Sequence, residues 1–412
     1  MSAVVVTGIG VLAPGGLGLE PFWEGVCDRR SGISELTRFD TSGFPARLAG
    51  QITGLDPAEL LPSRLLVQTD ISTRFVLIAA DWALRDAKVE PGTYTDYETG
   101  VITSNACGGF EFTHREFRKL WTTGPAAVSV YESFAWFYAV STGQISIRNT
   151  LRGPSGALVA EQAGGLDAIG HACRAVRRGT PMMLTGGADS ALDPWGWAAQ
   201  LSGGQVSTAA DPDRAYLPFD TDARGYVPGE GGAILVLEDA GTAASRGAQN
   251  LYGEIAGYGS TFDPPPWSGG RPALGRAALL ALEDAGIGPA DVDVVFADGA
   301  GVAELDRSEA ETITELFGAC GVPVTVPKAV TGRLYSGGGP VDVAVALMAM
   351  RDGLIPPTAA TDRVPDSYRI DLVRDAPRPA DLAHALVLGR GRWGFNSAVV
   401  VRRSPRPGSE TP

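Results

Sequence analysis

The chain has 412 residues, 44% of them hydrophobic and 20% charged, the balance of a fully folding globular protein rather than a disordered or fibrous one. A formal charge of −13 excludes a surface built to grip nucleic-acid phosphates, and no apolar run of about 18 residues or more offers a membrane span. Cys27, Cys107, Cys173 and Cys320 show no paired spacing, the three histidines lie far apart, and the N-terminus lacks a basic leader, so a reduced, metal-free cytoplasmic chain is expected.

Residues 3–7 are a β-branched apolar run that leads into Gly8-Ile9-Gly10, read as a buried first strand entering a tight turn. Helical apolar spacing follows at 71–87, and a short buried strand at 99–104. Phe110, Thr113, Phe117 and Leu120 recur at helical offsets and share one helix face, which periodicity alone assigns to a core stripe. Residues 153–168 read as a strand, a sharp Gly-rich turn and a helix start. Leu166, Ile169, Cys173 and Val176 form the buried stripe of that helix, which spans 165–178.

Strands at 181–186 and 233–238 come next, then an Ala/Gly-rich seam at 240–249, a strand at 251–256, a helix at 273–286 and a strand at 292–297. The alternation implies an α/β protein of layered sheets covered by helices. One domain is expected over 2–403, with halves at 1–245 and 250–403 and a Pro-rich disordered tail at 404–412.

Two motifs mislead. Gly8-Ile9-Gly10 opens no dinucleotide fingerprint, because no acidic residue closes a strand end about 20 residues on. Leu201-Ser202-Gly203-Gly204-Gln205 spells a transporter-ATPase signature without any phosphate-binding Gly-Lys loop to serve it.

The turn Ala160-Glu161-Gln162-Ala163-Gly164-Gly165 places Gln162 at a helix N-terminus, where a thiol would be acidified but an amide can only hydrogen-bond. With it stand Phe296-Ala297-Asp298-Gly299-Ala300-Gly301, Lys328-Ala329-Val330-Thr331-Gly332-Arg333, and Pro218-Phe219-Asp220 through Arg224-Gly225-Tyr226-Val227 to Gly229-Glu230-Gly231. On these motifs the chain resembles the β-ketoacyl synthases, over about residues 4–403. The resemblance implies a thiolase-like, five-layered αβαβα fold made of two similar halves. It also implies that Gln162 replaces the nucleophilic cysteine, while Asp298 and Arg333 replace the two catalytic histidines. No catalytic group is then intact, because condensation needs a thiolate to hold the acyl chain and donors to stabilise an enolate. Arg224 and Glu230 are expected to form a buried pair that fixes loops.

The Glu-Gln-Ala-Gly-Gly turn resembles one branch more closely, the chain length factors, or ketosynthase β subunits, of bacterial type II aromatic polyketide synthases. That resemblance implies antibiotic biosynthesis, a heterodimer with a ketosynthase α subunit, and an acyl carrier protein delivering malonyl and polyketide chains. No cofactor is expected on the chain itself, since phosphopantetheine arrives on the carrier. The resemblance also moves Phe110, Thr113 and Phe117 from the core to the floor of a substrate tunnel that stops growth near an octaketide. The aromatic run Phe134, Trp136, Phe137 and Tyr138 suits either a subunit interface or a core. Three rivals remain: a decarboxylating starter role for the Gln162 amide, a self-sufficient enzyme using Cys107 or Cys173, and a pure scaffold for the ketosynthase.

Overall fold

The computed structural model describes residues 3–89, 93–95 and 97–404, so most of the expected tail at 404–412 lies outside the described residues. Ten strands carry the architecture. In the N-terminal part these are β1 (Val4–Ala13), β2 (Thr99–Ser104), β3 (Ser155–Leu158), β4 (Met182–Asp189) and β5 (Gly231–Asp239). Those of the C-terminal part are β6 (Gly253–Phe262), β7 (Val294–Phe296), β8 (Pro323–Thr325), β9 (His384–Arg390) and β10 (Phe395–Arg402).

The first five run in the order β3-β2-β4-β5-β1 and the second five in the order β8-β7-β9-β10-β6. In each set the first three strands are parallel and the last two join antiparallel. The same topology therefore occurs twice, with no repeat visible in the sequence. The two sets meet along a narrow seam where Val5 and Val6 of β1 face Glu254 and Gly253 of β6.

Helices α1 (Ile71–Ala87), α2 (Phe110–Thr122), α3 (Gly164–Arg177), α4 (Pro194–Ser202), α5 (Leu274–Ala285), α6 (Ala303–Phe317) and α7 (Gly338–Asp352) complete the layers. α1 covers one outer face and α5 with α6 the other, while α3 and α7 lie between the sheets. Every residue of α7 from Gly338 to Met350 is buried, as a helix in a middle layer must be. Along β5, Ile234 and Val236 pack toward α1, whereas Ala233, Leu235 and Leu237 pack into the central layer. A strand apolar on both faces reads as an unbroken hydrophobic run, which is how 233–238 reads. This is the thiolase-like five-layered αβαβα fold. Among the described residues, no helix is long and apolar enough to cross a membrane.

The expected tight turn at Gly8-Ile9-Gly10 does not occur; β1 continues through it to Ala13. The glycines serve close approach instead. A Cβ on Gly8 would stand 2.2 Å from the Ala83 carbonyl oxygen, and one on Gly10 would stand 2.0 Å from that of Ala79, both on α1. Gly10→Ala should therefore push α1 off the sheet and cost about 1–3 kcal/mol, seen as a lower denaturation midpoint in urea. An unchanged midpoint would contradict this packing.

The expected Arg224–Glu230 pair is also corrected. Arg224 is exposed at the rim, while Tyr226 to Glu230 turn inward. Glu230 accepts instead from Arg38 Nη2 at 2.5 Å, Ser190 Oγ at 2.7 Å and the Ile52 amide at 2.9 Å.

Candidate functional site: a closed condensing position and an open aromatic cleft

Gln162 lies in a short 3₁₀ turn, Glu161–Ala163, directly before α3, and is 2% exposed. Glu161 takes a left-handed backbone conformation (φ 51°), and its carboxylate accepts from the amides of Gln162 at 3.0 Å and Arg392 at 2.8 Å. These bonds hold a turn that a non-glycine residue adopts only at some cost in strain. In the orientation that satisfies both ends of the Gln162 amide, its nitrogen donates to the Tyr335 carbonyl at 2.8 Å. Its oxygen accepts from Arg333 Nε at 2.8 Å.

Arg333 reaches on to Asp298 with two parallel bonds, Nη1 to Oδ2 at 3.0 Å and Nη2 to Oδ1 at 3.2 Å. Gln162, Arg333 and Asp298 thus form one continuous network. Asp298 is held from the backbone side as well, because Glu309 accepts from the Asp298 and Gly299 amides at 2.7 and 2.9 Å. Burial pushes the Asp298 carboxyl up, but the Arg333 guanidinium, the Lys328 ammonium and the Arg333 hydrogen bonds outweigh it and hold it below its ordinary value. Glu309, beside it, is pushed up by burial and by the Asp298 charge, which outweigh the Arg390 guanidinium and the two amides it accepts from.

A cavity of about 340 Å³ leads from the surface to this ion pair, its mouth formed by Arg392, Trp393 and Gly394. It ends on a saturated network: no thiol faces it, and both ends of the Gln162 amide are engaged. The two alternative cysteines are poor nucleophiles. Cys173 sits in the buried stripe of α3, where burial pushes its thiol up to about 12. The Cys107 thiol is pushed far above its ordinary value by burial and by the nearby Asp189 charge. Neither is a thiolate at neutral pH.

Phe110, Thr113 and Phe117 lie elsewhere, on α2, and face a cleft of about 450 Å³. Its position follows from two aspartates. Asp70 caps α1 at the Ser72 amide and also accepts from the Phe112 amide, both at 2.9 Å, which supplies the N-terminal cap that Gly109 lacks. Asp193 caps α4 through the Trp195 and Gly196 amides at 3.1 Å and pairs with His114 Nδ1 at 2.8 Å, which ties α4 to α2. Trp195 then stacks across the cleft, its ring 4.8 Å from that of Phe110 and 6.0 Å from that of Phe117.

The buried residues of α2 are Phe112, Thr113 and Glu116, and the Glu116 carboxylate takes Lys119 Nζ and the Ser129 amide at 2.8 Å. Sequence reading missed Trp195 and Glu132, and it gave Trp136 and Tyr138 an interface or a core rather than the place they take in the cleft lining with the α2 residues. The Asp193-Pro194 helix start was the one signal for Trp195, since it puts the indole in a first helical turn. Around the cleft Phe117, Trp136, Phe137, Tyr138 and Trp195 are all exposed.

The family profile described as the N-terminal domain of beta-ketoacyl synthases matches residues 1–243, and the corresponding C-terminal profile matches 252–362. The chain belongs to the β-ketoacyl synthase family. It is 65% identical over 98% of its length to the whole actinorhodin polyketide beta-ketoacyl synthase 2 of Streptomyces coelicolor. Identity is 63% over 96% of the chain, and 95% of the relative, to the granaticin polyketide beta-ketoacyl synthase 2 of Streptomyces violaceoruber. Among solved structures, the ishigamide ketosynthase/chain length factor superposes with a TM-score of 0.88, at 25% identity, over 98% of this chain and 100% of that one.

Proposed function

We propose that this chain is the non-condensing β subunit of an aromatic polyketide ketosynthase, and that its α2 cleft sets the length of the poly-β-ketone made by a cysteine-bearing partner. One observation carries the proposal. A chain whose own condensing position is closed by the Gln162–Arg333–Asp298 network keeps an open cleft lined by exposed aromatic side chains. The relatives' names support the class of product, since both are polyketide beta-ketoacyl synthases. The ishigamide ketosynthase/chain length factor supports the pairing of such a subunit with a ketosynthase. On this reading Phe110, Thr113 and Phe117 form the floor of a tunnel completed by the partner, and growth stops near an octaketide. Malonyl and polyketide chains arrive on the phosphopantetheine arm of an acyl carrier protein.

Uncovered aromatics are costly in an isolated chain and favourable once a subunit covers them. Coexpression with a cysteine-bearing ketosynthase should yield a one-to-one complex on size exclusion. A glutamate at Trp136 or Phe137, whose rings stack 5.4 Å apart on that surface, should release the partner without unfolding this chain. A complex that survives both substitutions would place the partner on another face.

A further inference from the structure

Two polar groups interrupt the aromatic wall of the cleft. Thr113 is 5% exposed, and its Oγ1 makes no hydrogen bond of ordinary geometry; nor does the buried Oε2 of Glu132 beside it. Both residues line the cavity, between the Phe110–Phe117–Trp195 cluster and Trp136. The Thr113 hydroxyl and the Glu132 carboxylate satisfy each other poorly at best, so a wall meant only to block an acyl chain would be better made of apolar side chains. Burial also pushes the Glu132 carboxyl up, although the Thr113 hydroxyl and Arg115 act against it.

The two groups are complementary in a specific way. A hydroxyl can donate and a carboxylate can only accept. A saturated acyl chain offers neither partner. The enol of a β-diketone offers both, an enol O–H and a carbonyl oxygen on carbons separated by one carbon.

We infer that Thr113 and Glu132 form a recognition pair for a β-diketone unit at the leading end of the chain, with the Thr113 hydroxyl donating to a carbonyl and the Glu132 carboxylate accepting from the enol. The inference rests on the tunnel reading and adds to it the groups that recognise the substrate. The rings limit how far a chain can extend, and the polar pair makes the cleft prefer an unreduced poly-β-ketone over a reduced acyl chain.

The test uses the reconstituted complex of this chain with its ketosynthase and carrier protein, and two probes of equal length, tridecane-2,4-dione and tridecan-2-one, as inhibitors of polyketide formation. Two hydrogen bonds should make the dione roughly tenfold more potent than the monoketone. Thr113→Val, which keeps shape and removes the donor, and Glu132→Leu should each move that ratio toward one, whereas a general loss of packing would weaken both probes together. Equal potencies on the unmodified complex, no inhibition by the dione, or a ratio unchanged in both variants overturns the inference. Phe117→Ala separates the two levels. If it lengthens products while Thr113→Val and Glu132→Leu leave the potency ratio unchanged, only the recognition pair falls; if it leaves product length unchanged, the tunnel reading falls and the pair with it.

Discussion

Arg333→Met should destabilise the subunit by about 3–5 kcal/mol, because it leaves Asp298 charged and 1% exposed with its bidentate partner gone. The double variant Arg333→Met with Asp298→Leu should recover most of that loss, since replacing both members of a buried pair removes the unpaired charge along with the bond. The pH dependence gives an independent reading. In the unmodified chain the Asp298 carboxyl is held below its unfolded value, so its contribution is fully present above that unfolded value and is lost as pH falls through the depressed one. Without the guanidinium, burial dominates and the carboxyl moves up. The single variant should then regain part of its loss on acidification, the reverse of the unmodified protein. Urea unfolding of the three proteins at neutral and mildly acidic pH checks both points, and equal midpoints for the single variant and the unmodified chain would refute the network.

On the proposed reading, the network explains how the family frame persists around Gln162 without a condensing thiol. Gln162 at the head of α3, Arg333 and Asp298 are held by one another and by Glu309, Tyr335 and Arg390, so the loops around the old site stay ordered without a thiol or an imidazole. Restoring one group cannot rebuild the site. A cysteine at position 162 alone would still face an arginine engaged by Asp298, with no imidazole to assist decarboxylation.

Elements with a strong local pattern were readable. α1 matches the helix expected at 71–87, and β2 the strand at 99–104, because a cap at Asp70, unbroken periodicity and flanking polar residues define each locally. Where one local signal has two physical causes, reading failed: glycine in Gly8-Ile9-Gly10 signals a turn or a close approach equally, and only the carbonyls of Ala79 and Ala83 decide. Partnerships over long sequence separation were the least readable. The motif spacing put Arg224 near Glu230, whereas the fold brings Arg38, 192 residues away, onto that carboxylate. Likewise, the resemblance picked out Gln162, Asp298 and Arg333 as replaced positions, but nothing in the sequence said that they bond to one another. Helical periodicity grouped Phe110, Thr113 and Phe117 on one face, yet could not tell a core face from a cleft face. Trp195 decides that, and it comes from another helix.

The cleft makes the larger functional prediction. If Phe110 and Phe117 end the tunnel, truncating either ring opens space beyond the present floor, and the chain should continue past the octaketide by whole two-carbon units. Folding should tolerate the change, because Phe117 is 42% exposed in this chain and its ring adds little to the core. The measurement is the mass of the polyketides released by the reconstituted complex carrying Phe117→Ala, compared with the unmodified complex, with co-elution of the two subunits confirmed in both. The account predicts a shift to products at least one ketide unit longer; an intact complex that releases the same length distribution as the unmodified one would contradict it.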